Sequence, residues 1–364
     1  MKLNHLSLKN FRNYHSLDIT FDPYINIFIG NNGQGKTNLL ESIYLLSMSR
    51  SFKTHIIDEL IQFNQDYAKI KGEGIYNNKD IQLEIILSTL GKKALINQTE
   101  IKKSSDYLGH MNVVLFVPED LMLVKGSPKQ RRNLLDMEIS KISPIYMYNL
   151  KKYNDLLKER NVYLKHLHDN HLKPDLYLDV LSEQMAHIQV GLIHKRIEFV
   201  NTLNDIAYSL YDYISSSEQV LDISYKCTYK EIDENYILNK YKDNYLRDIK
   251  YSHTVDGIHK DDLNLMLDHN DAVIYASQGQ QRSIVLSIKI ALLELIKKEI
   301  GEYPILLLDD VLSELDDIRQ TRLLNLIQDK VQTFLTTTSI DGINHVVIRN
   351  AKKIEIVNGE VKGE

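Results

Sequence analysis

The chain has 364 residues, 43% of them apolar, which predicts a globular fold with a substantial core in one large or two moderate domains. Its single cysteine, Cys227, excludes internal disulfides and a multi-cysteine metal site, and no apolar run has transmembrane length, so we expect a cytoplasmic protein without a membrane partner. The formal net charge of -5 does not by itself indicate a nucleic-acid-binding protein.

A glycine-rich turn lies near the N-terminus, between a strand pattern and a helix pattern. Residues 25–29 form an apolar, β-branched run typical of a buried strand, and residues 38–48 repeat leucine and isoleucine at helical spacing. This order is the context of a phosphate-binding loop, whose backbone N–H groups surround phosphates. We expect Lys36 to reach the β- and γ-phosphates and the Thr37 hydroxyl to coordinate Mg²⁺. The predicted nucleotide-binding residues are Gly30, Asn31, Asn32, Gly33, Gln34, Gly35, Lys36 and Thr37.

Basic residues are concentrated between residues 125 and 165. This segment holds ten Lys or Arg against four Asp or Glu, a balance of +6 that leaves -11 for the rest of the chain. Such a segment can attract phosphates locally, whereas a solvated basic helix face explains any single residue equally well. The DNA-binding candidates, including two residues that precede the segment, are Arg50, Lys53, Lys129, Arg131, Arg132, Lys151 and Lys152.

Long helices are predicted between residues 129 and 254. Apolar or aromatic residues recur at steps of three and four from Tyr146 to Leu167 and from Leu181 to Leu210, which predicts an antiparallel helical hairpin. Residues 220–228 then alternate like an edge strand. We therefore expect residues 1–128 and 255–364 to form two halves of one domain, with residues 129–254 as an inserted arm.

Two further segments carry polar groups near the C-terminus. Ser277 to Arg282 precedes a predicted helix over residues 283–300, where a serine, a glycine and helix N–H groups can bind an anion or simply cap the helix. Residues 305–308 predict a strand buried on both faces of a parallel sheet. The strand is followed by Asp309 and Asp310, at the edge where such sheets bind ligands.

The two aspartates are expected to complete the nucleotide site. Asp309 is the candidate metal ligand, together with Thr37, and Asp310 is the candidate general base that polarises an attacking water. An acidic loop after a core strand is the alternative, and the phosphate-binding loop in the same chain favours the functional interpretation. The predicted catalytic residues are therefore Lys36, Asp309 and Asp310.

These segments together resemble the ABC-type ATPase head of SMC proteins and of the RecF family, and the resemblance is closest to the RecF family. It covers essentially the whole chain and includes residues 8–14 (LKNFRNY), 49–54 (SRSFKT), 117–121 (VPEDL) and 313–316 (SELD). The implied fold is α/β: a P-loop ABC-type ATPase head, with a mixed sheet and flanking helices, plus an inserted, mainly helical arm domain.

The resemblance implies ATP and Mg²⁺ as cofactors and a homodimer that forms with ATP. Ser277, Gly279 and Gln280 correspond to the signature motif, which contacts the γ-phosphate bound to the opposite subunit, and residues 313–316 resemble the D-loop at the dimer interface. Asp310 stands where most ABC ATPases have glutamate, which suits slow hydrolysis. Thr337 or Thr338 lies in the region of the transporter switch histidine.

For function, the resemblance implies a weak, DNA-dependent ATPase that acts as a switch in recombinational gap repair, DNA replication and SOS induction. Its expected partners are single-stranded and gapped duplex DNA, a second copy of the chain, RecR and RecO. Two alternatives remain at this point: an ATPase subunit of a transporter and an SMC-like structural DNA tether. The helical insertion argues against the first, and the short arm argues against the second.

Overall fold

The computed structural model describes residues 1–215, 217, 219–339 and 346–362. The chain divides into two units: a first unit of Met1–Asp120, Tyr213–Ser216 and Leu286–Glu364, and a second unit of Leu121–Asp212 and Ser217–Val285. The predicted arm, residues 129–254, lies within the second unit except for residues 213–216, and the second unit begins earlier and ends later than that range. The predicted domain boundaries stay a prediction.

The described residues form fifteen strands, which are numbered in chain order. They are β1 (Lys2–Phe11), β2 (Tyr14–Thr20), β3 (Ile25–Ile29), β4 (Tyr67–Tyr76), β5 (Lys79–Ser88), β6 (Gly91–Ile96), β7 (Thr99–Ile101), β8 (Val113–Phe116), β9 (Leu221–Lys226), β10 (Asp262–Leu267), β11 (Asn270–Asp271), β12 (Ile305–Asp309), β13 (Thr333–Thr337), β14 (Lys352–Val357) and β15 (Glu360–Lys362).

Eleven α-helices occur in the same described ranges. They are α1 (Lys36–Met48), α2 (Ser104–Tyr107), α3 (Met122–Lys125), α4 (Pro128–Ile142), α5 (Pro144–Asp169), α6 (Leu176–Ser215), α7 (Glu234–Tyr251), α8 (Ala272–Tyr275), α9 (Gln278–Ile300), α10 (Asp317–Ile327) and α11 (Val346–Arg349). Short 3₁₀ turns cover Ile57–Leu60, Pro118–Leu121 and Leu312–Glu314.

The first unit contains two six-stranded sheets. One has the order β15-β14-β3-β13-β12-β8 and is parallel except for the β15 edge, while the other, β2-β1-β4-β5-β6-β7, is antiparallel. Helix α1 contacts β12 and β13 of the first sheet and β4 and β5 of the second. It is buried on nearly every side, which explains its apolar residues all round its axis. The predicted α/β class with a mixed sheet and flanking helices is confirmed.

The second unit is mainly helical, as predicted for the arm. The two predicted seams lie on α5 and α6, of 26 and 40 residues, and β9 is an edge strand of a three-stranded sheet in the order β11-β10-β9. The spacing of three and four residues placed Leu157 and Ile206 on these seams, but both are half-buried, whereas the neighbouring Leu156 on α5 and Ala207 on α6 are buried. Helix α9 begins at Gln278, five residues before the predicted start at residue 283.

Candidate nucleotide-binding site

The phosphate-binding loop connects the parallel sheet to the buried helix. Strand β3 ends at Ile29 and α1 begins at Lys36, while residues 31–33 are exposed. Gly35 has φ 116°, a conformation that L side chains rarely adopt, and a Cβ there would lie 2.5 Å from Asn13 Nδ2. Only glycine therefore fits this turn, and the predicted strand, loop and helix are all confirmed.

Lys36 is folded back onto its own loop. Its Nζ donates hydrogen bonds to the carbonyl oxygens of Gly30 (2.7 Å) and Asn31 (3.0 Å), and only 7% of the residue is exposed. Burial lowers the pKa of the ammonium, against the opposite effect of Asp310 and Asp309. The ammonium is thus held at the loop by neutral acceptors, which an anion can replace with a net gain in electrostatic energy.

Asp309 lies directly beside the start of α1. Its Oδ1 accepts hydrogen bonds of 2.8 Å from both Thr37 Oγ1 and Thr336 Oγ1. Burial raises the pKa of Asp309, and these two hydrogen bonds act in the opposite direction. An octahedral Mg²⁺ with oxygen ligands at about 2.1 Å has adjacent ligands about 3 Å apart, so the Thr37 and Asp309 oxygens fit this cation.

Asp310 has an uncommon backbone conformation. It has φ 54°, a left-handed conformation that is uncommon outside glycine, and its N–H donates to Thr336 Oγ1 at 2.9 Å. Within the described residues, its buried Oδ1 has no hydrogen-bond partner. Ser313 Oγ, from the segment that resembles the D-loop, donates to the Asp310 carbonyl oxygen at 2.7 Å. The free carboxylate oxygen is able to accept a proton from water, the chemistry expected of a general base.

Thr336 is the residue of this site that sequence analysis missed. It accepts from the Asp310 N–H and donates to Asp309, so it fixes both acidic residues. The expectation placed a polar group at Thr337 or Thr338, whereas Thr337 Oγ1 donates to the Ser339 carbonyl oxygen. The contact follows from the parallel register, in which Asp309 pairs with Thr336, and an isolated sequence carries no signal for that register.

Ser277, Gly279 and Gln280 form a separate cluster in the second unit. The Gln280 N–H donates to Ser277 Oγ at 3.3 Å, and the Ser277 N–H donates to Gln280 Oε1 at 2.7 Å. This reciprocal pair is a capping box, and it explains why α9 begins before residue 283. Ser277 is exposed at the N-terminus of a 23-residue helix, where N–H groups and the helix dipole favour an anion.

The DNA-binding candidates differ in whether their side chains are exposed and in whether they already have hydrogen-bond partners. Arg50, Lys129, Lys151 and Lys152 are exposed. Lys53 is exposed as well, but its Nζ donates to Asn38 Oδ1 at 3.1 Å, on the first turn of α1. Burial lowers the pKa of Lys53, while Glu41 and Asp309 raise it. Lys53 therefore lies beside the nucleotide site of its own unit.

Arg131 was a wrong candidate for a DNA contact. It is 4% exposed, and its guanidinium binds both carboxylate oxygens of Asp262, at 2.7 and 2.9 Å. Its Nη1 also donates to the Gly126 carbonyl oxygen at 3.0 Å. Because the guanidinium is already hydrogen-bonded to these buried partners, Arg131 stabilises the fold and is not available to DNA. Arg132 is half-buried and donates from Nη1 to the Asp261 carbonyl oxygen at 2.7 Å.

Two negative findings hold for the part of the chain that the structure describes. None of its helices is long and apolar enough to cross a bilayer. It also contains no group of three His, Cys, Asp or Glu side chains that could hold a metal ion by themselves. A metal at this site therefore needs ligands beyond Asp309 and Thr37, as Mg²⁺ bound together with nucleotide phosphates has.

Comparison with solved structures supports this fold. The structure of "the recombination mediator protein RecF-ATPrS in RecFOR pathway" matches with a TM-score of 0.91 and 33% identity, over 99% of this chain and 97% of that one. The corresponding RecF-ATP structure matches with a TM-score of 0.89 at the same identity, over 99% and 96% of the two chains. An Smc head bound to the C-winged helix domain of ScpA has a TM-score of 0.57 at 16% identity, over 100% and 96% of the chains, which shows the fold alone.

Sequence comparisons cover the whole chain. The family model of the RecF/RecN/SMC N terminal domain matches residues 2–361. The DNA replication and repair protein RecF of Staphylococcus carnosus is 46% identical over 99% of this chain and 100% of its own length. The protein of the same name from a Geobacillus strain is 45% identical over 99% of this chain and 98% of its own. The chain therefore belongs to the RecF family of DNA replication and repair proteins.

Proposed function

We propose that this chain binds ATP with Mg²⁺, forms a dimer around the nucleotide on DNA, and uses slow hydrolysis to release that dimer during gap repair and replication. The observation that carries the proposal is the cluster of Lys36, Thr37, Asp309 and Asp310 around one phosphate-binding loop. The relatives support this role, since they are named DNA replication and repair proteins and one matching structure is described as RecF-ATP.

ATP can bind at the phosphate-binding loop because Lys36 is able to exchange its hydrogen-bond acceptors. The Lys36 ammonium is expected to leave the carbonyl oxygens of Gly30 and Asn31 for β- and γ-phosphate oxygens. Thr37 and Asp309 already present two oxygens 2.8 Å apart toward one another, the spacing of neighbouring Mg²⁺ ligands. The cation neutralises charge on the phosphates, and Thr336 keeps the carboxylate of Asp309 in place beside it.

Asp310 is proposed as the general base of hydrolysis. Its unpartnered Oδ1 and its strained backbone hold an acceptor at the carboxyl edge of β12. The side chain is one methylene shorter than the glutamate of most ABC ATPases, so its reach toward an attacking water is shorter. This difference supports slow turnover, which suits a switch better than a continuously working motor.

Ser277 is proposed to act on the nucleotide of the second copy. Its Oγ uses a lone pair to accept from the Gln280 N–H, so its own O–H remains a donor for a phosphate oxygen. The exposed position and the following helix N-terminus support the same role for Gly279 and Gln280. ATP between two copies would then have Lys36 of one chain and Ser277 of the other as ligands, which makes dimerisation depend on ATP.

Single-stranded and gapped DNA are the proposed substrates, with RecR and RecO as further partners. The solved RecF structures are described in the RecFOR pathway, which supports these partners. Arg50, Lys129, Lys151 and Lys152 are exposed basic residues able to contact phosphates. Arg131 is removed from this set because Asp262 binds it.

Sedimentation with Mg-ATP tests the proposal. We compare the wild type, Ser277→Arg and the control Ser209→Arg, which places the same side chain at an exposed position on α6. ATP and a gapped duplex are expected to produce a DNA-bound dimer of the wild type and of the control. Ser277→Arg is expected to bind ATP and stay monomeric. Equal dimerisation of all three proteins, or no effect of ATP on any of them, would show that the dimer mechanism is wrong.

A further inference from the structure

The turn between β14 and β15 contacts the phosphate-binding loop. The Asn358 N–H donates to Gln34 Oε1 at 2.6 Å, and the Gly359 N–H donates to the Gln34 carbonyl oxygen at 3.0 Å. The Asn13 side chain, in the turn between β1 and β2, donates to the same carbonyl oxygen at 3.0 Å. Gln34 is thus bound from two turns that are far apart in the chain.

The hairpin also borders the first residue of the loop. Strand β14 pairs in parallel with β3, with Glu355 opposite Ile29, so the hairpin runs alongside the loop. A Cβ added to Gly30 would overlap the Ile356 carbonyl oxygen. On the other side, Asn13 Oδ1 accepts from Asn38 Nδ2 at 2.9 Å, which ties the Gln34 contacts to the first turn of α1.

These contacts determine the direction of the loop N–H groups. In a trans peptide the C=O and the N–H point in opposite directions. Fixing the Gln34 carbonyl oxygen therefore fixes the Gly35 N–H, and the hydrogen bond of 3.0 Å from the Tyr14 hydroxyl to the Gly35 carbonyl oxygen fixes the Lys36 N–H in the same way. Both N–H groups are thereby oriented away from the surrounding turns.

We propose that the Asn358–Gly359 turn is a positioning element of the nucleotide site, which holds Gln34 so that the Gly35 and Lys36 N–H groups face the phosphates. The inference rests on the ATP binding proposed above. It assigns a role in nucleotide affinity to residues of the C-terminal hairpin that lie outside every motif identified in the sequence.

Gly359→Ala tests this role and has a matched control. Gly359 has φ 79°, and an added Cβ would overlap the Asn13 carbonyl oxygen, so alanine displaces the turn from Gln34. Gly301 has nearly the same φ, 83°, and no atom of the described residues lies within 4 Å of an added Cβ. Gly301→Ala therefore introduces the same backbone strain without the displacement.

The measurements are the equilibrium affinity for Mg-ATP, the unfolding temperature without nucleotide, and hydrogen exchange of residues 30–37. We expect Gly359→Ala to bind ATP about tenfold more weakly than Gly301→Ala, because the loop loses its preorganisation. With Mg-ATP bound, the exchange of residues 34–37 is expected to be faster in Gly359→Ala alone, while the unfolding temperatures of the two variants without nucleotide are expected to be equal.

A second variant keeps the test valid if Gly359→Ala fails to fold. Asn13→Asp replaces the donor to the Gln34 carbonyl oxygen by an acceptor and is expected to weaken ATP binding, whereas Asn4→Asp, at an exposed position, is not. Wild-type affinity and exchange in Gly359→Ala, or in Asn13→Asp if Gly359→Ala does not fold, would overturn the inference. If the wild type binds no ATP, the proposed function on which this inference rests is wrong.

Discussion

The nucleotide site of the first unit and the buried ion pairs of the second unit use charged side chains in different ways. In the first unit, Lys36 contacts neutral carbonyl oxygens, and Asp310 keeps a carboxylate oxygen without a partner among the described residues. In the second unit, buried cations are matched by buried or half-buried anions. The pairs are Arg131 with Asp262, Arg160 with Asp248, and Arg196 with Asp136. The charges at the nucleotide site are arranged for a ligand, and these charges of the second unit stabilise one another.

This difference changes the meaning of the basic segment. Three of the ten basic residues between residues 125 and 165 are buried, namely Arg131, Lys141 and Arg160. Lys141 pairs with Glu138 and Arg160 with Asp248, so neither contributes a free positive charge to the surface. A local charge count therefore overestimates the potential that DNA would meet, because it gives buried and exposed cations the same weight.

The largest effect is expected where a buried pair of the second unit is broken. Arg160 is fully buried, 2.9 Å from Asp248, and its guanidinium also lies 4.8 Å from the centre of the Tyr241 ring. Arg160→Leu leaves a buried carboxylate without its cation, so we expect the free energy of unfolding to fall by about 3–5 kcal/mol. Urea unfolding followed by circular dichroism measures this change.

The double variant Arg160→Leu/Asp248→Leu provides the control. Removing both charges is expected to recover most of the lost stability, because neither ion is left unpaired. A single variant that unfolds within 1 kcal/mol of the wild type would contradict the contrast between the units.

Lys36→Ala is the matching change in the first unit. In contrast to Arg160→Leu, it should weaken ATP binding without reducing stability. We expect ATP affinity to fall about 100-fold, equivalent to about 2.7 kcal/mol, because the phosphates lose their ammonium partner. Burial already lowers the pKa of Lys36, so its removal relieves a desolvation cost and should not reduce the unfolding temperature without nucleotide. Titration calorimetry and thermal unfolding test both statements, with the exposed Lys330→Ala as control. A loss of stability with unchanged affinity would show that Lys36 serves the fold.

Sequence analysis correctly predicted those features whose residues lie close together in the chain. Strand β3, the phosphate loop and α1 are specified within residues 25–48, and each has a local pattern, so sequence analysis placed them correctly. The same holds for β12, whose buried apolar run ends at Asp309.

The contacts that sequence analysis missed join distant positions. Thr336 reaches Asp309 through strand register, Arg131 meets Asp262 across 131 positions, and Gln34 meets Asn358 across 324. Register and topology determine which side chains meet at such separations, and no local periodicity encodes them. The residue type alone therefore made Arg131 look like a DNA contact and left Gln34 as one more residue of the loop.

His259 gives the second unit a dependence of its stability on pH. Its ring accepts from the Tyr153 hydroxyl at Nδ1 (2.9 Å) and donates from Nε2 to the Thr254 carbonyl oxygen (3.0 Å), a set that fits the neutral form. Burial, with smaller effects of Lys260, Arg132 and His253, lowers its pKa to about 4. Below about pH 6.5 the unfolded chain binds a proton that the folded chain does not, so stability is lost as pH falls toward 4.

We expect this histidine to reduce the free energy of unfolding by about 2 kcal/mol between pH 7 and pH 5. His259→Asn keeps one acceptor and one donor without a group that titrates in this range, so its loss over the same interval should be smaller by that amount. Parallel urea titrations at the two pH values measure the difference. Identical losses in the two proteins would mean that His259 is not held neutral in the fold.

The smallest effects are expected when single exposed lysines are replaced. Their effect on DNA binding is compared with that of removing a buried ion pair. Each phosphate contact removed should reduce the slope of log affinity against log salt by about 0.9 on duplex DNA. Lys151→Ala and Lys152→Ala are therefore expected to weaken DNA binding modestly and to flatten this slope. Arg131→Leu/Asp262→Leu, which removes a buried pair together, should keep the wild-type slope because neither group is available to DNA. A flattened slope in the buried-pair variant alone would reverse the assignment, because it would place the phosphate contact at Arg131.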